Sequence, residues 1–564
     1  MTCPYCGAEN DAGFQFCKSC GAKLPPKAAP QQPQYQAPQY QPPQQPQYQA
    51  PQYQAPQYQA PQQPQAPVAT PVSPKKNPFD SIIAKVKAID FKALLKEPKK
   101  LIVPAAAVAA VLVLIILISV IASAGGSETG IKHINYMLSV DGGDETLYLR
   151  DGKLIESGLE GNTVSYTQSI DGSVLVYVVD DEEVFVTRGK DSVSITDEAE
   201  QIVLSQDGNT MAVIDEDGVL FLYNTKNGEA TEIAEDVQSV TLSPNGKNAA
   251  YTVYDDEVMA YYWDGKESIE LDEELYPLAL SDGGKYIYCY NDDKETLEVW
   301  NKKGDSEKIA SDLSTYYDFF YLNEDHTQIV FRADGKWYAS VKGGEKIKLT
   351  SDSSFNILRP WGNGSSFQFL GDVFVVTLNN ATLTNCFVEM DDALYYMDKN
   401  WETEKVAKDV ENAILSRDGS TVVYLKDNGK LYKATAKKPG DSIELAEDVV
   451  SFDVTSDCGA VYYINEDEEL MYQKGTKEAK QIGDDVEQIS MTFDDYCLFL
   501  CDYSGNSGTL YASRNGSKKE KITDECYDFT CALNATYLWT DYDDGDFNFS
   551  VATKGTKFKA IYEY

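Results

Sequence analysis

The sequence predicts a mainly β protein: a β-propeller of about eleven four-stranded repeats, carried behind an N-terminal zinc ribbon and one transmembrane helix. Three observations carry this expectation. Residues 135–564 repeat one pattern at a near-constant step, residues 101–124 form an apolar run without a charge, and four early cysteines fall into two C-x-x-C pairs.

The repeat has two recurring parts. One is a turn after an apolar, often Ser-ended run: SVDG at 139–142, SIDG at 169–172, SQDG at 205–208, SPNG at 243–246, SDGG at 281–284 and SRDG at 416–419, with looser copies at 456–459 and 493–495. Asp-Gly and Asn-Gly supply the positive φ that tight hairpins need. The other is an aromatic-rich strand centred on Tyr148, Phe185, Phe221, Tyr261, Glu298, Tyr338, Tyr395, Tyr432, Met471, Tyr511 and Asn548. Nine of the ten steps between these centres are 36–40 residues, and the exception is the 57 residues from Tyr338 to Tyr395. Two hairpins per unit give four short strands, the content of one propeller blade. No unit sustains a 3.6-residue apolar period, which disfavours a β/α array.

The turn followed by a Tyr-rich strand resembles the blades of TolB-like and WD40-like propellers across residues 135–564, without the recurring Gly-His and Trp-Asp marks of WD40 repeats. The resemblance implies the fold and no particular partner. Propellers typically have about 4–8 blades. The long step is therefore read as a boundary between two consecutive propellers, residues 130–350 and 351–564, or as a loop inserted into one large ring.

At the N-terminus, Cys3 and Cys6 are followed after ten residues by Cys17 and Cys20. Two such knuckles complete a closed tetrahedral thiolate shell for one structural Zn²⁺, leaving no open position for catalysis. So short a segment cannot build a core, so metal binding and folding would be one event. CPYCGAENDAGFQFCKSCGAKL resembles the short zinc ribbons at the N-termini of many bacterial proteins, over residues 2–24. The resemblance implies zinc on Cys3, Cys6, Cys17 and Cys20 and little else.

Residues 25–76, rich in Pro, Gln, Ala and Tyr, read as an extended disordered linker, with docking of a Pro-rich strip to a cytoplasmic protein as the alternative. Residues 77–97 then read as a basic amphipathic helix on the inner leaflet. Asn77-Pro78 starts it, Phe79, Ile82, Ile83, Val86 and Ile89 keep helical spacing, and Pro98 stops it. Residues 101–124 follow, long enough to cross a hydrocarbon core of about 30 Å as a helix. Before the span the net charge is +6, and after it −46. The positive-inside rule places the N-terminus in the cytoplasm and the propeller outside a single-pass membrane protein.

That acidic outer part repels phosphates, which argues against nucleic acid. Its seven scattered cysteines are odd in number and read as buried thiols rather than a disulfide framework. His133 and His326 are the only histidines, far apart in sequence, and no G-x-S-x-G, phosphate loop, dinucleotide fingerprint or H-E-x-x-H is present. Acidic clusters at 180–183, 215–217, 255–257, 466–469 and 541–546 are explained by turns before calcium or catalysis. Trp263, Trp300, Trp337, Trp361 and Trp539 are expected in the core before a binding face. The expected function is a non-enzymatic bacterial cell-envelope scaffold. Its propeller would engage an extracellular protein, peptide or glycan, while the ribbon or linker would engage a cytoplasmic protein. The alternative is a propeller glycoside hydrolase or lyase that uses acidic residues in the funnel.

Overall fold

The computed structural model describes residues 131–563 apart from 141–144, 161–162, 180–182, 190–191, 197–198, 256, 314–318, 361–364, 371–372, 505–506 and 544–545. The ribbon, linker, basic helix and apolar span, with Cys3, Cys6, Cys17 and Cys20, lie outside the described residues. Among the described residues, no helix is long and apolar enough to cross a membrane.

The described chain is mainly β and propeller-like. It holds ten hydrogen-bonded sheets, seven of them four-stranded and built as antiparallel meanders. We number the blade-like units in chain order. Unit 1 (135–160) has three described strands. Units 2 (163–196), 3 (201–234), 4 (237–273) and 5 (275–311) have four each. Unit 6 is 319–350, and unit 7 joins Asn356–Ile357 to 386–408. Units 8 (410–446) and 9 (449–483) again have four strands. The last sheet has seven, because the long strand Glu520–Cys531 ends unit 10 with its first half and begins unit 11 with its second.

Near-continuous apolar runs such as Thr421–Lys426 (TVVYLK) form the second strand of each unit because both faces of a blade are covered. Val422 and Tyr424 pack toward unit 7, while Val423 and Leu425 pack toward unit 9. The period-2 alternation of a strand thus feeds two cores at once. The same holds all along the chain, each core cluster joining two successive units. One further cluster joins the last unit to the first: Tyr537, Phe549 and Val551 pack on Leu147 and Leu149. Tyr136 stacks on Tyr537 at 4.5 Å, and the Asn534 amide donates to Asp151 Oδ1 at 2.5 Å.

The repeated turn is a hydrogen-bonded device. In unit 2 the Ser169 hydroxyl donates to Asp171 Oδ1 at 2.9 Å and accepts the Val174 N–H at 3.0 Å, while Asp171 Oδ1 also accepts the Ser173 N–H at 2.9 Å. Units 3 and 8 repeat the pattern with Ser205/Asp207 and Ser416/Asp418, and Thr455/Asp457 serves unit 9. The positive-φ position closing the turn is Gly172, Gly208 or Gly419 in three of these units, but His326 (φ 53°) in unit 6 and Cys458 (φ 50°) in unit 9. Successive turns are tied: Ile170 N–H donates to Gln206 O, and Asp207 N–H to Pro244 O. The SVDG of unit 1 differs. It joins the strands Asn135–Val140 and Glu145–Arg150, and Tyr148 lies on the strand after it.

The 57-residue step is an insertion. Residues 358–385 stand between the first and second strands of unit 7, where other units have the tight turn, and carry a hairpin, Ser365–Leu370 and Val373–Leu378. Val373–Leu378 pairs parallel with Phe319–Leu322, the first strand of unit 6. Every other strand pairing among the described residues is antiparallel, so this one comes from outside the repeat. The cluster that holds Trp337 and Ala339 of unit 6 also holds Ile357, Val388 and Val376, so packing continues across residue 350.

Candidate functional site

A cavity of about 690 Å³ opens between the first strands of units 2 and 3. One wall is Ser165–Gln168 with Val176 and Val178, the other Ala199–Leu204, and Gln206 and Gln368 complete it. Tyr166 is 55% exposed there. Glu200 is the one carboxylate among the described lining residues, and the remaining polar groups are hydroxyls and amides. Gln368 comes from the inserted hairpin, and its amide donates to Val240 O at 2.9 Å.

His326 holds this region together. The ring is buried, Nδ1–H donates to Leu280 O at 3.0 Å, and Nε2 is the acceptor facing the Gln206 amide at 2.6 Å and the Thr377 hydroxyl at 3.1 Å. One imidazole therefore links units 3, 5 and 6 and the hairpin. Burial drives its pKa down to about 4, against the backbone hydrogen bond to Leu280 and the charge of Asp325. A neutral folded imidazole with an unfolded pKa near 6.5 leaves stability intact above that value. As pH falls from about 6.5 to about 4, the unfolded chain takes up a proton that the folded one refuses, a loss on the order of 3 kcal/mol. His326→Gln should remove that portion of the slope. Urea midpoints measured from pH 4 to 7 check this, and parallel curves for the two proteins would refute it.

The other singled-out residues take structural places. His133 Nδ1 lies 2.8 Å from Asp151 Oδ2, beside the contact from Asn534. The acidic clusters at 215–217 and 466–469 are hairpin turns, and among the described residues no group of three or more His, Cys, Asp or Glu could hold a metal ion. Trp300, Trp337 and Trp539 are core residues, and Trp300 Nε1 donates to the buried Glu298 at 3.1 Å. All seven cysteines among the described residues are free thiols. Burial pushes Cys386, Cys458 and Cys526 up to about 12, so they are poor nucleophiles.

Sequence reading missed two features. Asp453 bonds the N–H groups of Val454 and Met491 at 2.7 Å each, tying unit 9 to unit 10, and burial raises its carboxyl to about 6. Glu487 and Asp528 share a second, open hollow of about 360 Å³ with Tyr503 and Tyr527, between units 10 and 11. Glu525 and Asp541 interact with each other, which raises the Glu525 carboxyl and lowers that of Asp541.

Residues 1–25 match a family described as a domain of unknown function, DUF7577. No curated protein matches the chain. Among solved structures, the chain is similar to one titled "Crystal structure of the tricorn protease", with 11% identity and a TM-score of 0.25, over 74% of this chain and 61% of that one. The chain thus spans less than two thirds of that protein's length.

Proposed function

We propose that this chain is a membrane-anchored envelope protein whose propeller-like part binds a neutral, hydrogen-bonding ligand, a peptide or a glycan, in the cavity between units 2 and 3. The carrying observation is the lining: Ser165, Thr167 and Gln201 offer donors and acceptors around one carboxylate, while Gln168, Gln206 and Gln368 are held in place by bonds to Asn135, His326 and both Val240 and Thr241. Few convergent polar groups on a preformed concavity are what orients a bound molecule. The units form a single closed cycle on this reading, supported by the cluster between Leu147 and Tyr537 and by the packing that continues across residue 350. The ribbon holds one Zn²⁺ on Cys3, Cys6, Cys17 and Cys20 on the cytoplasmic side, and residues 101–124 anchor the chain. One zinc per chain, lost in Cys17→Ser, and outside-only labelling of a cysteine engineered at Ser127 check these assignments. Metal-free folding of the ribbon or labelling of the linker in intact cells would overturn them.

Calorimetry of the full-length chain in detergent against uncharged peptides and neutral oligosaccharides tests the cavity. Each neutral hydrogen bond is worth about 1 kcal/mol, so Ser165→Ala with Gln201→Ala should weaken binding about 30-fold. The hydrolase reading is favoured by Glu487 and Asp528 in one hollow. It gains if Glu487→Gln abolishes cleavage of an oligosaccharide while the double variant leaves cleavage unchanged.

A further inference from the structure

We infer that the cavity takes an extended peptide strand, recognised through its main chain, on the free edge of Thr163–Gln168; this rests on the binding role proposed above. The observation is a precedent within the chain. The first strand of unit 6 would be an open edge, yet Val373–Leu378 lies on it in parallel register, Phe374 opposite Phe319 and Thr377 opposite Leu322.

Aligning the turns transfers the geometry. Ser169, Ser205 and Asn323 each donate their N–H to the carbonyl five residues on, to Val174, Thr210 and Gln328. In an antiparallel pair, inward- and outward-bonding residues alternate. Counting back from those bonds, the backbone groups of Leu322 and Phe320 point toward the inserted strand. The same count turns Gln168 and Tyr166 of unit 2, and Leu204 and Ile202 of unit 3, toward the cavity. Among the described residues, Thr163–Gln168 pairs only with Leu175–Val179, and Gln201–Leu204 only with Thr210–Ile214. The outward N–H and C=O groups of Tyr166 and Gln168 have no backbone partner among the described residues.

Two further features choose the occupant. Two of the lining runs, 165–168 and 199–204, are consecutive residues that take in the first strands of units 2 and 3, joined by Val176 and Val178 of the second strand of unit 2 and by Gln206 and Gln368. Main-chain pairing gives affinity on a strand edge, and alternate side chains supply selectivity. The lining carries one negative charge and no positive one, so an uncharged or basic strand fits and an acidic one does not. Ser165, Tyr166 and Gln168 are exposed while 201–204 are only partly so, which makes unit 2 the pairing edge and unit 3 the facing wall.

The test uses the full-length chain in detergent, a synthetic pool of uncharged six-residue peptides, the same pool N-methylated at alternate residues, and a neutral hexasaccharide. Amide hydrogen exchange should slow at least tenfold at Tyr166 and Gln168 with the plain pool and not with the N-methylated pool. Tyr166→Pro removes an outward donor and should weaken peptide binding at least tenfold, whereas Tyr166→Ala, which keeps the N–H, should cost under threefold. Should Tyr166→Pro fail to fold, the N-methylated pool decides alone. Equal binding of both pools, or protection by the hexasaccharide only, overturns strand addition while leaving the cavity's binding role standing. Silence from all three probes overturns both.

Discussion

Gly172→Val should lower the stability of the propeller-like part by about 3–4 kcal/mol, read as a shift in the urea midpoint. Gly172 sits at φ 71°, and a Cβ placed on it would stand 1.9 Å from His133 O and 2.8 Å from His133 C. A β-branched residue in the left-handed region costs roughly 1–2 kcal/mol. The clash adds more, because its partner is backbone and cannot rotate away. Moving residues 132–134 breaks the bonds from Lys132 N–H and His133 N–H to Asp171 O, at 2.7 and 3.0 Å, each worth about 1 kcal/mol. Gly304→Ala is the control. Its φ is 80° and nothing lies within 4 Å of the added carbon, so only the conformational cost of about 1 kcal/mol applies. Equal losses at the two sites would show that the contact between units 1 and 2 contributes nothing.

The same turn explains what was legible in the sequence. Its Ser, Asp and Gly each make a local bond or a local φ, so spacing alone predicted where strands begin, and every repeat centre lies on a strand, from Tyr148 to Asn548. Local rules also mislead when two turns share a motif. The SVDG of unit 1 reads like the others but joins a different pair of strands. The long step was legible as an irregularity. Its nature was not, because Val373–Leu378 reads as one more apolar strand and its partner Phe319–Leu322 lies some fifty residues back in a parallel pairing that no turn announces. The cavity was hidden for the same reason: Gln206 and Gln368 are distant in sequence and meet only through the inserted hairpin. His326 left a trace, since Asn323-Glu324-Asp325-His326 stands in the turn register with histidine where glycine is usual. Reading that substitution as a lost glycine with a gained side chain would have pointed to the junction.

Ending the chain after Ala512 should have a still larger effect and turn the propeller-like part into an aggregating species. The cut removes Glu520–Cys531 and everything after it. It uncovers Leu498, Leu500 and Leu510 on one side and Leu147, Leu149 and Tyr136 on the other. Burial of such side chains is worth roughly 1.5–3 kcal/mol each. Six of them match the whole 5–15 kcal/mol by which a typical domain is stable. The edge of the strand that begins at Ser507 loses its partner as well, which invites pairing between molecules. The cut also separates a single cycle from two consecutive propellers. In a cycle, unit 1 depends on unit 11, so hydrogen exchange at Leu147 and Leu149 should accelerate by orders of magnitude although the cut lies more than three hundred residues away in sequence. Two independent propellers split near residue 350 would leave those amides protected and residues 135–350 melting as before. Soluble truncated protein with unchanged exchange at Leu147 would remove the closed cycle. Asn534→Ala offers a graded version: it deletes one bond to Asp151, which keeps those from His133 and the Ile134 N–H, so a loss near 1 kcal/mol is expected.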